Sequence, residues 1–314
     1  MNYKILFAGS GEFAAGIFKK IAASEFKPMA VITQLDKPVG RHQILSPSPV
    51  KIEAQNLGFK IYEPRSLKNT EAEEMIKELK PDLLIVADYG KIIPKNILNI
   101  PKFGALNIHP SLLPRHRGAS PIRYTILRGD EKTGVTIILM DEQVDHGPIV
   151  AVSNLEDKIF TLAHTELSKK LSELGGKLLV EILPRWFNGE IKPSPQDESR
   201  ATFTKILTRE DGKIDWQNTA EEIDRQIRAL EGWPGTWCLW SRENKKIKIL
   251  RAKIFRDNLN TQPGQVSVSS NKKMLINTRS GLLEINELQL EGKNKITGSE
   301  FLRGYPSILG SILS

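Results

Sequence analysis

The sequence predicts two domains, an α/β domain on a mostly parallel sheet with helices on both faces, followed by a smaller β-rich one. Through the first 187 residues, short apolar runs alternate with amphipathic ones, the pattern of a sheet covered by crossover helices. Beyond residue 206 the pattern becomes short β-like runs separated by Gly, Asn and Ser, as in a small barrel. A chain of 314 residues is also long for one core, since domains typically hold about 100–200 residues.

In chain order, strands are expected at residues 5–8, 30–33, 83–87, 105–108 and 135–140, with helices starting near Gly11, Pro49, Glu71 and Ala119. This is a Rossmann-like succession. A helical pattern from residue 162 to about 186 closes the first domain, residues 1–187. Residues 188–206 are polar, contain Pro193 and Pro195 and lack periodicity, which marks a linker. In the second domain, residues 207–314, Ala220, Ile223, Ile227 and Leu230 share one helical face. Glu221 with Arg225, and Asp224 with Arg228, are spaced for i,i+4 ion pairs. Strands are then expected at 247–254, 264–268, 274–277 and 282–289.

A hydrophobic fraction of 39% and a mean hydropathy of −0.29 fit a soluble globular chain. No apolar run reaches the roughly 18 residues expected of a membrane-spanning helix. Met1 leads directly into the first strand without a signal-peptide pattern, so the mature protein is expected to begin near Met1 and to be cytoplasmic. A lone cysteine, Cys238, makes no internal disulfide, and five scattered histidines with no Cys or Glu at ligand spacing predict no metal site. The formal charge is +8. Residues 201–314 carry 18 Lys and Arg against 13 Asp and Glu, leaving 27 against 24 for residues 1–200. The shorter segment holds the larger basic excess, which suits a polyanion such as a nucleic acid without establishing one.

The densest chemistry lies between Gly104 and Pro121. A short strand there delivers Asn107 and His109, two residues apart and so on one side of it, into a Pro-rich turn. After the run at 135–140, the turn Asp141–Pro148 adds a carboxylate, Asp145. All three are expected beyond the carboxyl ends of the strands, where open α/β sheets bind ligands. An amide can stabilise an oxyanion, an imidazole can carry a proton and a carboxylate can orient it, so acyl transfer fits. Nothing nearby resembles a covalent nucleophile, and direct attack by an amine is the simpler mechanism. The alternative is structural, with Asn107 capping a turn and His109 a packed loop histidine.

Asn-x-His-x-Ser-Leu-Leu-Pro-x-x-Arg-Gly-Ala-x-Pro over residues 107–121, followed by Met-Asp-Glu-x-x-Asp-x-Gly over 140–147, resembles the formyltransferases that use 10-formyltetrahydrofolate. Similarity extends to residues 7–14, 37–41, 46–51, 290–293 and 301–305, and so over essentially the whole chain. The resemblance implies catalysis by Asn107, His109 and Asp145. It implies a folate site with Ser111, Leu112, Leu113 and Pro114 on one side and Tyr89, Gly90 and Ile92 on the other. It further implies initiator methionyl-tRNA as formyl acceptor, contacted by Arg41 and Lys205, and an OB-like second domain. A monomer is expected. A formyltransferase acting on a small amine would share the three catalytic residues, and a noncatalytic RNA-binding relative is the more distant alternative.

Two departures stand out against that family. The loop at 34–49 reads Gly-Arg-His-Gln-Ile where Gly-Arg-Gly-Lys-Lys is usual, removing two cations that would attract phosphate. His146 follows Asp145 where Thr is common, and is expected to face solvent rather than compete for the carboxylate. His116, between Arg115 and Arg117, should resist protonation. Gly9-Ser-Gly-Glu-Phe-Ala14, with Asp36 after the second strand, matches a dinucleotide fingerprint. It reads better as a tight strand-to-helix turn. Trp216, Trp233, Trp237 and Trp240 are expected to build the second core more than to stack on bases.

Overall fold

The computed structural model describes residues 3–39, 43–255 and 262–314. Along residues 3–205 the chain forms β1 (Ile5–Gly9), α1 (Glu12–Ala22), β2 (Ala30–Ile32), β3 (Lys37–Val39), β4 (Ile44–Ser46), α2 (Pro49–Asn56), β5 (Ile61–Tyr62) and α3 (Thr70–Leu79). There follow β6 (Leu83–Ala87), α4 (Lys95–Leu98), β7 (Ala105–His109), β8 (Arg117–Gly118), α5 (Pro121–Arg128), β9 (Gly134–Leu139), β10 (Ile149–Asn154), α6 (His164–Phe187) and β11 (Phe203–Thr204). Two compact units result: Met1–Ile122 with Glu131–Ile159 and Glu166–Lys205, and Arg123–Asp130 with Phe160–Thr165 and Ile206–Ser314.

The first unit is built on a seven-stranded sheet in the order β10-β9-β7-β6-β1-β2-β5. Five strands, β5, β2, β1, β6 and β7, run parallel. One face buries Leu6, Ala8, Ile32, Leu84, Val86 and Ala105 against Ala72 and Ile76 of α3 and Ile97 of α4. The other face carries α6. Built on Gly175, a Cβ would lie 3.0 Å from Ile108 Cγ2 and 3.4 Å from Val135 Cγ1. Glycine there lets the helix lie directly on the back of β7 and β9. Ser172 of α6 also donates from Oγ to the Phe13 carbonyl of α1 at 2.8 Å.

Strand direction corrects one expectation. The run at 135–140 becomes β9, which is antiparallel to β7, with Leu106 opposite Leu139 and His109 opposite Thr136. Its carboxyl end therefore sits beside the start of β7, and Met140 N donates to Ala105 O at 2.8 Å. The loop carrying Asp145 therefore leaves the sheet at the end opposite the carboxyl ends of the parallel strands. It must fold back over the sheet to reach Asn107 and His109. An apolar run carries no mark of its direction, so the sequence left this open.

In the second unit α7 (Ala220–Ala229) begins at a capping box, with Thr219 accepting from Glu222 N and the Glu222 side chain accepting from Thr219 N. Asp224 and Arg228 pair at 2.8 Å, whereas Arg225 donates to the Leu127 carbonyl. There follow β12 (Thr236–Trp240), β13 (Lys245–Phe255), β14 (Val266–Val268), β15 (Met274–Asn277), β16 (Leu282–Leu290), β17 (Lys295–Thr297) and α8 (Gly298–Gly304). The strands form one antiparallel sheet, β12-β13-β16-β15-β14, with β17 on β16. The last residues close its curl. Gly310 and Ser311 exchange backbone hydrogen bonds with Val266 of β14, while Ser314 does so with Leu239 of β12. Both edges are thereby covered. Trp216 and Trp240 lie in the core of this barrel-like unit, while Trp233 is 53% exposed.

Candidate active site

Alternation along β7 sends Ile108 back onto α6 and turns Asn107 and His109 to the opposite face, where Asn107 is half-buried and His109 buried. Asn107 Nδ2 donates to Asp145 Oδ1 at 3.0 Å. An amide nitrogen carries two hydrogens, so one remains for a reacting group. His109 Nε2 lies 3.0 Å from the His116 carbonyl oxygen. A carbonyl only accepts, so this contact requires Nε2–H and leaves Nδ1 to take or give a proton. That nitrogen lies 3.5 Å from Asp145 Oδ2. The amide, imidazole and carboxylate expected from the sequence therefore converge.

The turn after β7 is fixed by β9. Thr136 Oγ1 donates to the Ser111 carbonyl at 2.7 Å and accepts from Leu113 N at 3.1 Å. His116 takes a left-handed φ of +64°, and its N–H donates to Thr202 Oγ1 at 2.8 Å.

Asp145 is held by residues far away in sequence. Its backbone is left-handed, φ +51°, a conformation Asp tolerates better than most residues. Oδ2 accepts from Gly118 N at 2.8 Å. Gln196 Nε2 donates to the carbonyls of Asp145 and Gly147, each at 2.8 Å. Gln196 Oε1 accepts from Arg117 Nε at 3.1 Å and Nη2 at 2.8 Å. The same guanidinium, only 2% exposed as a side chain, donates to both carboxylate oxygens of Glu198 at 2.9 and 2.7 Å. His146 does not simply face solvent. Its Nδ1 meets Asp141 Oδ2 at 2.5 Å and its Nε2 lies 3.6 Å from Glu198 Oε1, which leaves the Asp145 carboxylate uncontested.

The family described as Formyl transferase matches residues 1–183, more than half of the chain, and the one described as Formyl transferase, C-terminal domain, matches residues 206–306. The chain belongs to the formyl transferase family. A relative from Caldicellulosiruptor saccharolyticus, named methionyl-tRNA formyltransferase, is 41% identical over 318 residues and covers 99% of both chains. One of the same name from Dehalococcoides mccartyi is 41% identical over 305 residues, 96% of this chain and 95% of its own. Among solved structures, HypX from Aquifex aeolicus, in complex with tetrahydrofolic acid, superposes with a TM-score of 0.67 at 18% identity. That match covers 98% of this chain and 48% of HypX, so this chain corresponds to about half of that protein.

Other residues singled out in this formyltransferase fall into place unevenly. Ser111 is buried, with Oγ donating to the Arg115 carbonyl at 2.6 Å, and Leu113 is 7% exposed. Leu112 and Pro114 are half-buried. Ile92 is 64% exposed, and Gly90 has φ +73°. The Tyr89 ring sits in the core, where burial pushes its hydroxyl up to about 12. Only the Tyr89 backbone remains for a ligand, and its carbonyl accepts from Gln34 Nε2. Lys205 is exposed just after β11. Arg41 lies outside the described residues, between the paired strands β3 and β4.

The glycine turn also resolves. Asp36 is engaged by Lys51 at 2.7 Å, a contact that raises the Lys51 pKa above its ordinary value, with Glu63 adding to it. A Cβ on Gly9 would lie 2.8 Å from the Ala87 carbonyl, and one on Gly11 would strike Asp88 Oδ2 at 1.8 Å. Both glycines serve close packing. Asp88, absent from the sequence expectations, reaches the surface, but the chain packed around its carboxyl strips part of its hydration and lifts its pKa to about 6. Gln196 and Glu198 also escaped the sequence reading, since a polar Pro-containing stretch resembles a linker when its partners are distant, and Arg117 entered it only as a motif residue beside His116.

Proposed function

We propose that this formyltransferase moves a formyl group from 10-formyltetrahydrofolate to the α-amino group of methionine on initiator tRNA, acting as a cytoplasmic monomer in translation initiation. The observation that carries the reading is the Asn107, His109 and Asp145 cluster, supported by two relatives of that name aligned over at least 95% of both chains.

The amine nitrogen attacks the formyl carbon directly. Asn107 Nδ2, with one hydrogen committed to Asp145, aims the other at the oxygen that becomes negative. His109 takes the proton lost by the amine at Nδ1 once the new C–N bond has formed, and returns it to the folate nitrogen as the tetrahedral intermediate collapses and the old C–N bond breaks. Asp145 steadies the transient imidazolium. Ser111, Leu112, Leu113 and Pro114 would border the folate, with Gly90, Ile92 and the Tyr89 backbone opposite. Arg41 and Lys205 would meet the acceptor end of the tRNA, and residues 207–314 would hold the tRNA body through their basic excess. Residues 1–187 form the catalytic domain in this reading, and 188–206 join the two.

The purified protein, given 10-formyltetrahydrofolate, should formylate initiator methionyl-tRNA far faster than elongator methionyl-tRNA, and should leave free methionine unmodified. Efficient transfer to free methionine or another small amine, with none to methionyl-tRNA, would replace this reading with a small-molecule formyltransferase.

A further inference from the structure

We infer that Gln196 is a positioning residue for catalysis, acting with Arg117 to hold Asp145 in its working orientation. The inference rests on the role proposed above for Asp145. A glutamine amide has two N–H donors and two acceptor lone pairs, and here all four are used in one direction of support. Both hydrogens go to the carbonyls of Asp145 and Gly147, bracketing His146. Both lone pairs go to Arg117, whose remaining reach is spent on Glu198.

The segment held this way needs support. Asp145 is a left-handed non-glycine residue, a conformation that persists where surrounding contacts over-determine it. At Gly147 a Cβ would lie 1.9 Å from the Leu139 carbonyl oxygen, so the loop is pressed against the end of β9. Asp145 is reached from the wrong end of the sheet, and nothing in the register of β9 sets its height above Asn107. The donors from Gln196 set it on the backbone side, and Gly118 N holds the carboxylate. The carboxylate then meets Asn107 Nδ2 and Gly118 N with its second oxygen 3.5 Å from His109 Nδ1. Arg117 is the bracket's foot, because it also opens β8, which pairs with β11 in the same stretch of chain as Gln196.

Substituting Gln196→Glu separates positioning from simple stability. A carboxylate keeps, and strengthens, the contact with Arg117 but has no hydrogen to offer either carbonyl. The expected result is that Gln196→Ala and Gln196→Glu each lower kcat for methionyl-tRNA about 10–100-fold, the range for lost support of a site group. KM for both substrates should stay within about threefold, and Gln196→Glu should melt close to the wild type.

A double-mutant cycle with Asp145→Asn is decisive, read by single-turnover formylation. In that background Gln196→Ala should cost less than about threefold, because its effect runs through a carboxylate already removed. If Asp145→Asn is slow and Gln196→Ala still costs its full factor there, the positioning role is overturned while the role of Asp145 stands. If Asp145→Asn alone turns over like the wild type, the catalytic reading of Asp145 fails, and this inference fails with it. Wild-type kcat in Gln196→Glu would overturn the inference on its own.

Discussion

Strand β7 and the loop over residues 141–147 supply the same cluster by opposite means. β7 is gripped by neighbours along its length, by β6 on one side and β9 on the other, and from behind by Gly175 of α6. Asn107 and His109 inherit their placement from the pleat. The loop has no ladder of its own at Asp145, and its position is borrowed from Gly118, Gln196 and Arg117. Precision is therefore a property of the sheet for two of the groups and of a polar bracket for the third.

The largest way to break that contrast is to push β7 from behind. Gly175→Leu would place a side chain where a Cβ already stands 3.0 Å from Ile108, and overpacking of this kind costs about 1–3 kcal/mol. Both Tm and kcat should fall, because Ile108 lies between Asn107 and His109. Wild-type values of both would mean that the strand is not held through α6.

A smaller effect sharpens the contrast between two aspartates. Asp88, like Asp145, has a left-handed φ, +41°. Among the described residues its carboxyl has no hydrogen-bond or ion-pair partner, whereas that of Asp145 is met by two donors. Enclosure raises the Asp88 pKa from 3.8 to about 6, so the native state binds a proton that the unfolded chain has released across that interval. Stability should fall as pH rises through this window, and the cost should persist above it. Asp88→Asn should then raise Tm at pH 7 and leave it unchanged near pH 3. The gain should not exceed about 1 kcal/mol, since an exposed carboxyl retains much of its hydration. An equal shift at both pH values would trace the effect to packing against Gly11 rather than to charge.

The same division decides what the sequence could reveal. Asn107 and His109 were legible because the spacing of two in an apolar run is a local fact, and β6 and β15 appear at their expected residues, 83–87 and 274–277. The direction of β9 was not legible, and neither were β10, with its alternating exposure, or the two-residue strands β8 and β11. Those depend on partners elsewhere in the chain. Asp145 was found through its motif, but the fold-back that brings it to Asn107 was not. Gln196 and Arg117 are about 80 residues apart, a separation over which pattern in a sequence says nothing about contact. Residues 194–204, expected as a linker, carry the Ser194 bridge to Ile149, the Gln196 bracket and the Thr202 and Thr204 contacts of the first unit.

The central claim is that the amide and the carboxylate act as one unit, and a cycle across the 3.0 Å bond from Asn107 to Asp145 tests it most directly. Single-turnover formylation of methionyl-tRNA would be measured for Asn107→Ala, Asp145→Asn and the double variant, with folate binding as the check on folding. Each single substitution should lose about 100-fold or more in rate. The double variant should fall within about tenfold of the slower single, because groups that work together are not lost twice. Losses that multiply in the double variant, or a single variant that turns over near the wild-type rate, would contradict it.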